Sequence, residues 1–319
     1  MKYAHLTLLS LLLLLLAATS ASELPGAQVE TRATISPGEL TAPTRVVVLG
    51  TGTPIPDIRR AGPSIAIIHK GESYLFDVGA GSVRNATIAR YRYDIPALYP
   101  SQICCVFLSH LHSDHTLDIA ELAYTLWWRR REGLKIWGPT GVNTLTKGLT
   151  LMMSTDIDIR TAGNQPLPNP NGYSAVAEEL KEGFVFEKDD LKIEAFLVNH
   201  GDIKPAYGFK ITTADKSIVI SGDTAYSQVL AEKARGADLL FHEVISEKGL
   251  GKTTPFWQDY HNRAHTTTIS LGKLANIAKP KLLVLYHGLF YGTEEVDVLD
   301  EVRSVYDGDV VLAQDLDIY

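Results

Sequence analysis

Ser109-His110-Leu111-His112-Ser113-Asp114-His115 carries four metal-capable side chains within six residues, in the pattern H-x-H-x-D-H. An apolar, β-prone run, Ile103 to Leu108, comes just before it, and a helical pattern opens at Thr116. The chain therefore leaves a buried strand, presents three imidazoles and a carboxylate in a tight loop, and turns into a helix. Neutral imidazoles and a carboxylate are good ligands for zinc, and the short loop limits the entropy lost when they converge. A solvated His-rich turn has no need of this spacing, so the stretch reads as a metal site.

Three more candidates each follow a strand-like run. His200 comes after Phe196-Leu197-Val198-Asn199, Asp223 after Ile218-Val219-Ile220-Ser221-Gly222, and His287 after Leu282 to Tyr286. Ligands at strand ends can converge at one edge of a sheet while the strands hold them rigid. One histidine after a strand means little by itself. Three such positions beside H-x-H-x-D-H complete two three-residue sets and one bridging carboxylate.

Around these positions the pattern is α/β. Strands are predicted over 46–49, 64–68 and 74–77, a helix over 83–90, and helical spacing from Leu117 to Arg130. A strand over 134–137, a helix over 141–153 and a loop over 161–173 follow. Strands over 184–186, 191–198, 207–212 and 217–221 come next. From Tyr226 the order becomes helix (226–235), strand (238–242), helix (266–278), strand (281–286), helix (295–304) and strand (309–312). Strands first, then strands alternating with helices, imply helices covering sheets, and no linker divides the two parts. Gly50-Thr51-Gly52-Thr53-Pro54 lacks the Lys of a P-loop and reads as a tight turn at the rim of a site.

The first 22 residues read as a secretory signal peptide, with Lys2, an apolar Leu8 to Ala17, and Thr19-Ser20-Ala21 at the cleavage site. The apolar run is shorter than the roughly 20 residues of a membrane span. Residues 23–43 form a Pro-, Gly- and Thr-rich leader, and 44–319 a single folded domain. The expected location is secreted or periplasmic, with no stable membrane anchor after cleavage. Loss of Lys2 takes the net charge from −7 to −8, which gives no electrostatic reason to expect a nucleic-acid partner. Cys104 and Cys105 are adjacent in a predicted buried strand and are expected to be small core residues, not a disulfide. Asn85-Ala86-Thr87 is a sequon, relevant only in a glycosylating host.

The whole pattern resembles the metallo-β-lactamase-fold hydrolases, particularly the branch of ribonuclease Z and the related arylsulfatases and phosphodiesterases. Leu49 to Pro54 is similar to that branch's opening strand-turn, and Phe76-Asp77-Val78-Gly79 to its second motif. His110 to His115 is the family hallmark, Asn199-His200-Gly201 its third-histidine segment, and Ser221-Gly222-Asp223-Thr224 its bridging-aspartate motif. Phe241-His242-Glu243 and Ala264-His265-Thr266-Thr267 are similar to two further segments, and His287 matches the last metal histidine. The resemblance implies a four-layer αββα sandwich with two divalent metal ions, zinc by default and manganese or iron as alternatives. It places His110, His112 and His200 on one ion and Asp114, His115 and His287 on the other, with Asp223 bridging.

An ester hydrolase built this way still has to protonate its leaving oxygen. His265 is the first candidate for general acid, with Glu243 orienting it and raising its pKa. The plainer readings are a structural bond for Glu243 and a helix cap for His265. Asp114 is also placed in the catalytic set. Asp77 is expected to hold the metal loop, and His242 to face away from Glu243. The substrate reading is a small sulfate or phosphate ester, with ribonuclease Z-like cleavage as the alternative. β-Lactamase or thioesterase activity and a noncatalytic binding protein are the remaining readings, and a homodimer is left open as the assembly. Only twenty-two residues separate His200 from Asp223, too few for the basic arm with which ribonuclease Z grips transfer RNA. Tyr124, Trp127, Trp128, Trp257 and Tyr260 are candidates for an aryl-binding rim, with core packing as the other explanation. Arg129-Arg130-Arg131 is read as a solvated helix end.

Overall fold

A computed structural model describes residues 41–319; the expected signal peptide and nearly all of the leader lie outside them. Strands β1 (Thr44–Gly50), β2 (Ser64–His69) and β3 (Glu72–Phe76) form an antiparallel meander. Helix α1 (Ser82–Arg92) then leads to β4 (Cys105–Phe107), which lies parallel to β3. The short helices α2 (Ser113–Thr116) and α3 (Ile119–Tyr124) carry the chain to β5 (Leu134–Gly138). Helices α4 (Val142–Met152) and α5 (Ser154–Ala162) precede β6 (Ala175–Glu179), so the first sheet runs β1 to β6 in chain order.

The second sheet repeats this plan of meander and then crossover. Strands β7 (Val185–Lys188), β8 (Leu191–His200), β9 (Ile203–Thr212) and β10 (Ser217–Ile220) are antiparallel neighbours. Helix α6 (Gln228–Lys233) leads to β11 (Leu239–Ile245), parallel to β10. Helices α7 (Glu247–Leu250), α8 (Pro255–Ala264) and α9 (Thr268–Ala278) come before β12 (Leu282–Leu289). Helix α10 (Glu295–Arg303) comes before β13 (Val310–Leu312), and both strands extend the sheet in parallel.

Period-two alternation explains the layers. On the first sheet Val46, Val48, Ile65, Ile67, Phe76 and Phe107 point to one face, where they pack on Ile193, Phe209, Ile211, Ile220 and Phe241 of the second. The alternate residues Val47, Leu49, Ala66, Leu75, Val106 and Ile136 pack under α1 and α3. The outer face of the second sheet, with Val219, Leu240, Leu283 and Leu285, packs on Leu230, Leu271, Leu274, Val298 and Val302 of α6, α9 and α10. This is the αββα sandwich. The last residues cover the β1 edge, with Val46 and Tyr319 exchanging backbone hydrogen bonds at 2.9 Å each, which removes a free sheet edge. Among the described residues no helix is long and apolar enough to cross a membrane.

Four local readings of the sequence need correction. The helical spacing of Leu117 to Arg130 does not give one helix, because Leu126 adopts a left-handed conformation (φ +53°). That break buries Trp127 completely and turns Arg130 inward. Arg130 is therefore not solvated. Its guanidinium donates to the Ile103 carbonyl at 2.5 Å and to that of Leu122, closing the end of α3, and burial lowers its pKa to about 10. The sequence reading places no element over the segments that form α5 and β6; β6 is an edge strand whose side chains alternate between half-buried and exposed. Cys104 and Cys105 are joined by a disulfide, with an S–S distance of 2.11 Å. The expectation of two thiols rested on the rarity of disulfides between sequence neighbours; here Cys105 opens β4 and Cys104 lies just before it.

Candidate metal centre

The sheets deliver the candidate ligands to one edge. His110 to His115 lie in the loop and short helix after β4, His200 is the last residue of β8, and Asp223 follows β10. His287 lies inside β12, not after it. Glu243 pairs with Tyr286 and Val244 with Gly288, so His287 is the extra residue of a bulge, with φ +47°. A bulge re-aims a side chain out of the regular alternation, and here it turns His287 toward the other ligands. Gly222 (φ +59°) makes the corresponding turn before Asp223. A Cβ there would sit 2.6 Å from the Tyr207 carbonyl oxygen, so only glycine fits.

All seven expected residues converge. His112 Nδ1 lies 2.9 Å from His110 Nε2 and 3.2 Å from His200 Nε2. On the other side His115 Nε2 is 3.5 Å from Asp114 Oδ2, and His287 Nε2 is 3.7 Å from the same oxygen. Asp223 stands between the two groups. Its Oδ1 is 3.4 Å from His115 Nε2, and its Oδ2 is 3.1 Å from His287 Nε2, 3.8 Å from His200 Nε2 and 3.9 Å from His110 Nε2.

The remaining ring nitrogens set the tautomers. His115 Nδ1 donates to Asp77 Oδ2 (2.8 Å), His200 Nδ1 to the Ala264 carbonyl (2.8 Å), and His287 Nδ1 to the Gly52 carbonyl (2.7 Å). Carbonyl and carboxylate oxygens only accept, so the proton sits on Nδ1 and the Nε2 lone pair faces the cluster. Ser109 Oγ donates to Asp77 Oδ2 (2.7 Å) and so accepts from His110 Nδ1 at 3.0 Å. Asp77 also accepts the Ser109 amide (2.8 Å), which makes it the anchor of the loop, as expected.

A cation fits this donor set on observation. Asp114 Oδ2, Asp223 Oδ1 and His115 Nε2 are buried and have no protein hydrogen bond, a costly state unless an ion or water completes it. Burial and the neighbouring imidazoles hold His110 well below its ordinary pKa, so it is a neutral donor. Burial opposes the charge on Asp223, but His287 and His115 outweigh it and hold the carboxyl well below the usual range.

His265 and Glu243 stand next to this cluster. His265 ends α8, and its Nδ1 is 3.3 Å from Glu243 Oε2. Glu243 is fully buried, and its Oε1 accepts the Thr266 amide (2.9 Å) and the Thr224 amide (3.3 Å). Burial lowers the His265 pKa, but the Glu243 charge beside the ring outweighs that and leaves it raised. The His265 ring centre is 5.2 Å from that of His200. The helix after it is capped by Thr267, not by His265. His242 lies outside the cleft with its Nδ1 on the Glu243 carbonyl at 2.6 Å, facing away as expected.

The cluster opens into a cleft of about 650 Å³, lined by residues 52–57, Trp257, Tyr260, His261 and residues 287–292 among others. The Gly52 turn therefore sits at the rim. Of the five aromatic rim candidates only Trp257 and Tyr260 are there; Tyr124 and Trp127 belong to the core under the first sheet, with Trp128 packed against it. His261 and Tyr291 were not singled out in the sequence. His261 Nε2 and Tyr291 Oη are 2.5 Å apart, and burial together with His265 takes the His261 pKa down to about 4. The available signal was a second histidine, His261, only four residues before the candidate acid His265.

The profile of the β-lactamase superfamily domain matches residues 73–287. The chain belongs to this superfamily. Among curated relatives, a ribonuclease Z of Mycolicibacterium gilvum (strain PYR-GCK) is 32% identical over 251 residues, covering 76% of this chain and 83% of that one. A ribonuclease Z of Mycobacterium sp. (strain KMS) is 29% identical, covering 85% and 94%. Among solved structures, the metallo-β-lactamase-fold protein YhfI of Bacillus subtilis aligns with a TM-score of 0.66 and 18% identity, over 87% of this chain and 100% of that one. Human tRNase Z, short form, aligns at 0.61 and 20%, over 86% and 98%. As a metallo-β-lactamase-fold member the chain is a metal-dependent hydrolase acting on ester bonds.

Asp77 gives a direct check on the loop. Asp77→Ala removes three hydrogen bonds at once, one from a candidate ligand and two from Ser109. It is expected to weaken metal binding by about 10–100-fold, read by competition with a chromogenic chelator. Unchanged affinity would remove Asp77 from the account.

Proposed function

We propose that the chain is a binuclear-metal phosphodiesterase. His110, His112 and His200 would hold one ion, Asp114, His115 and His287 the other, and Asp223 would bridge them. The observation that carries the reading is that all seven residues converge beside a buried His265–Glu243 pair, with His112, Asp114, His200, Asp223, His265 and His287 opening into one cleft. Two divalent ions, zinc by ligand type, would supply Lewis acidity that makes a water nucleophilic near neutral pH and offsets charge on the phosphoryl oxygens.

The chain's own residues do the rest. Asp77, Ala264 and Gly52 fix the imidazoles before any ligand arrives, so little reorganisation is needed. Glu243, held by two backbone amides, keeps the His265 proton on the ring near neutral pH. His265 then donates that proton to the leaving oxygen, and the bond to phosphorus breaks as it does so.

The ribonuclease Z relatives favour a phosphodiester over the sulfate ester that the motifs alone left equally open. Their name also brings RNA forward as a substrate, the alternative of the sequence reading, and weighs weakly against its expectation that a nucleic-acid partner is unlikely. A second reading, a small phosphodiester, rests on the β8–β9–β10 region. Only Gly201 and Asp202 join β8 to β9, and four residues join β9 to β10, so no substrate-gripping arm leaves the fold there. Export remains part of the proposal on the strength of residues 1–22.

The test compares bis(4-nitrophenyl) phosphate, 4-nitrophenyl sulfate and a precursor transfer RNA with a 3′ extension, on zinc- and manganese-loaded protein. Chelator-sensitive turnover of the diester or the RNA supports the proposal and chooses between its two substrates. Turnover of the sulfate alone would overturn it.

A further inference from the structure

Trp257 is 47% exposed, yet its indole is held in place. Its ring lies 24° from parallel with the His261 imidazole, with centres 5.6 Å apart, and it meets Tyr260 edge-on at 5.6 Å and 89°. His261 is itself buried and fixed from the other side by the hydroxyl of Tyr291, a residue in the left-handed region (φ +49°). None of these four side chains belongs to the three apolar clusters that hold the sandwich together. All four line the cleft that opens from the ligand cluster. A half-exposed indole fixed in one orientation, with no share in the core, is preorganised for something that enters the cleft.

We infer that Trp257 and Tyr260 form a platform for a flat aromatic group of the substrate, with His261 and Tyr291 as positioning residues that hold the indole. A ring stacks on an aromatic face without needing a specific hydrogen-bond pattern, so an aryl group and a nucleobase share the required chemistry. Ile55 and Phe290 add further apolar surface to the same cleft, which suits a ring better than a charged or sugar-like group. The inference rests on the phosphodiesterase reading for the reacting end of the substrate, but not for the ring.

The experiment measures binding to the full, metal-loaded chain by calorimetry, using ligand pairs that differ by the ring alone. One pair is phenyl phosphate and methyl phosphate, the other uridine 5′-monophosphate and ribose 5-phosphate. The ring-bearing member of at least one pair is expected to bind about tenfold tighter. That ratio should fall toward one in Trp257→Ala, recover in Trp257→Phe, and shrink in Tyr291→Phe, which removes the bond to His261. The pair with the larger ratio identifies the source as aryl or nucleobase. Equal affinities within both pairs, or a ratio unchanged in Trp257→Ala, would overturn the platform. A ring preference that holds in a protein with no phosphodiester turnover would leave the platform standing and remove the proposed reaction.

Discussion

Asp223→Ala is expected to abolish tight binding of a second metal equivalent and to lower phosphodiester turnover by at least about 10²–10³, the range for losing one preorganised electrostatic partner. The carboxylate is 3% exposed, with four imidazole nitrogens within 3.9 Å of its oxygens. Among the described residues, Asp223 is the carboxylate grouped with histidines of both triads. Without it, Asp114 would serve one ion alone and no shared carboxylate would offset the repulsion between the two cations, so occupancy of one site would oppose occupancy of the other. Asp223→Asn separates charge from shape, since the amide fills the same volume. An asparagine variant as impaired as the alanine one assigns the effect to charge. Normal stoichiometry and turnover in both would remove the bridge from the account.

His265→Ala is expected to slow cleavage by about 10²–10⁴ when the leaving group is an alkoxide, the range for a lost general acid. With a 4-nitrophenolate leaving group the loss should be much smaller, because that anion departs without a proton. This dependence separates proton donation from a structural role, which would slow both substrates alike. Glu243 supplies a second handle. Its charge raises the His265 pKa against the effect of burial. The acid form is therefore present at low pH and is lost as pH rises through a value above the ordinary 6.5. The alkaline limb of kcat/KM should lie above that value in the wild type and move down in Glu243→Gln. A limb that stays in place would sever Glu243 from the proton step.

Much of this site was legible in the sequence because its parts are local or sit at strand ends. H-x-H-x-D-H needs no tertiary information to be read as a ligand loop. His200, Asp223 and His287 stood out because each ends an apolar run, although the bulge that turns His287 inward depends on the pairing of β11 with β12. The order of strands and helices implied helices covering sheets, while the four-layer αββα arrangement came from the resemblance to the metallo-β-lactamase-fold hydrolases. What could not be read were arrangements fixed by distant partners. Arg130 looked solvated beside two other arginines, yet the carbonyls of Ile103 and Leu122 draw it into the core. Trp127 could be read as a rim or as a core residue, and the packing under the first sheet decides for the core. The bond between His261 and Tyr291 spans thirty residues with no pattern linking them. The disulfide of Cys104 and Cys105 runs against the rule that sequence neighbours rarely pair, so the residues alone argued for two thiols.

The binuclear centre is tested most directly by stripping the full chain with chelator and titrating zinc back while following bis(4-nitrophenyl) phosphate hydrolysis and bound metal together. The geometry of two triads sharing Asp223 predicts turnover that reaches its maximum at two equivalents per chain. Maximum turnover at one equivalent, or full turnover in the stripped protein, would contradict it.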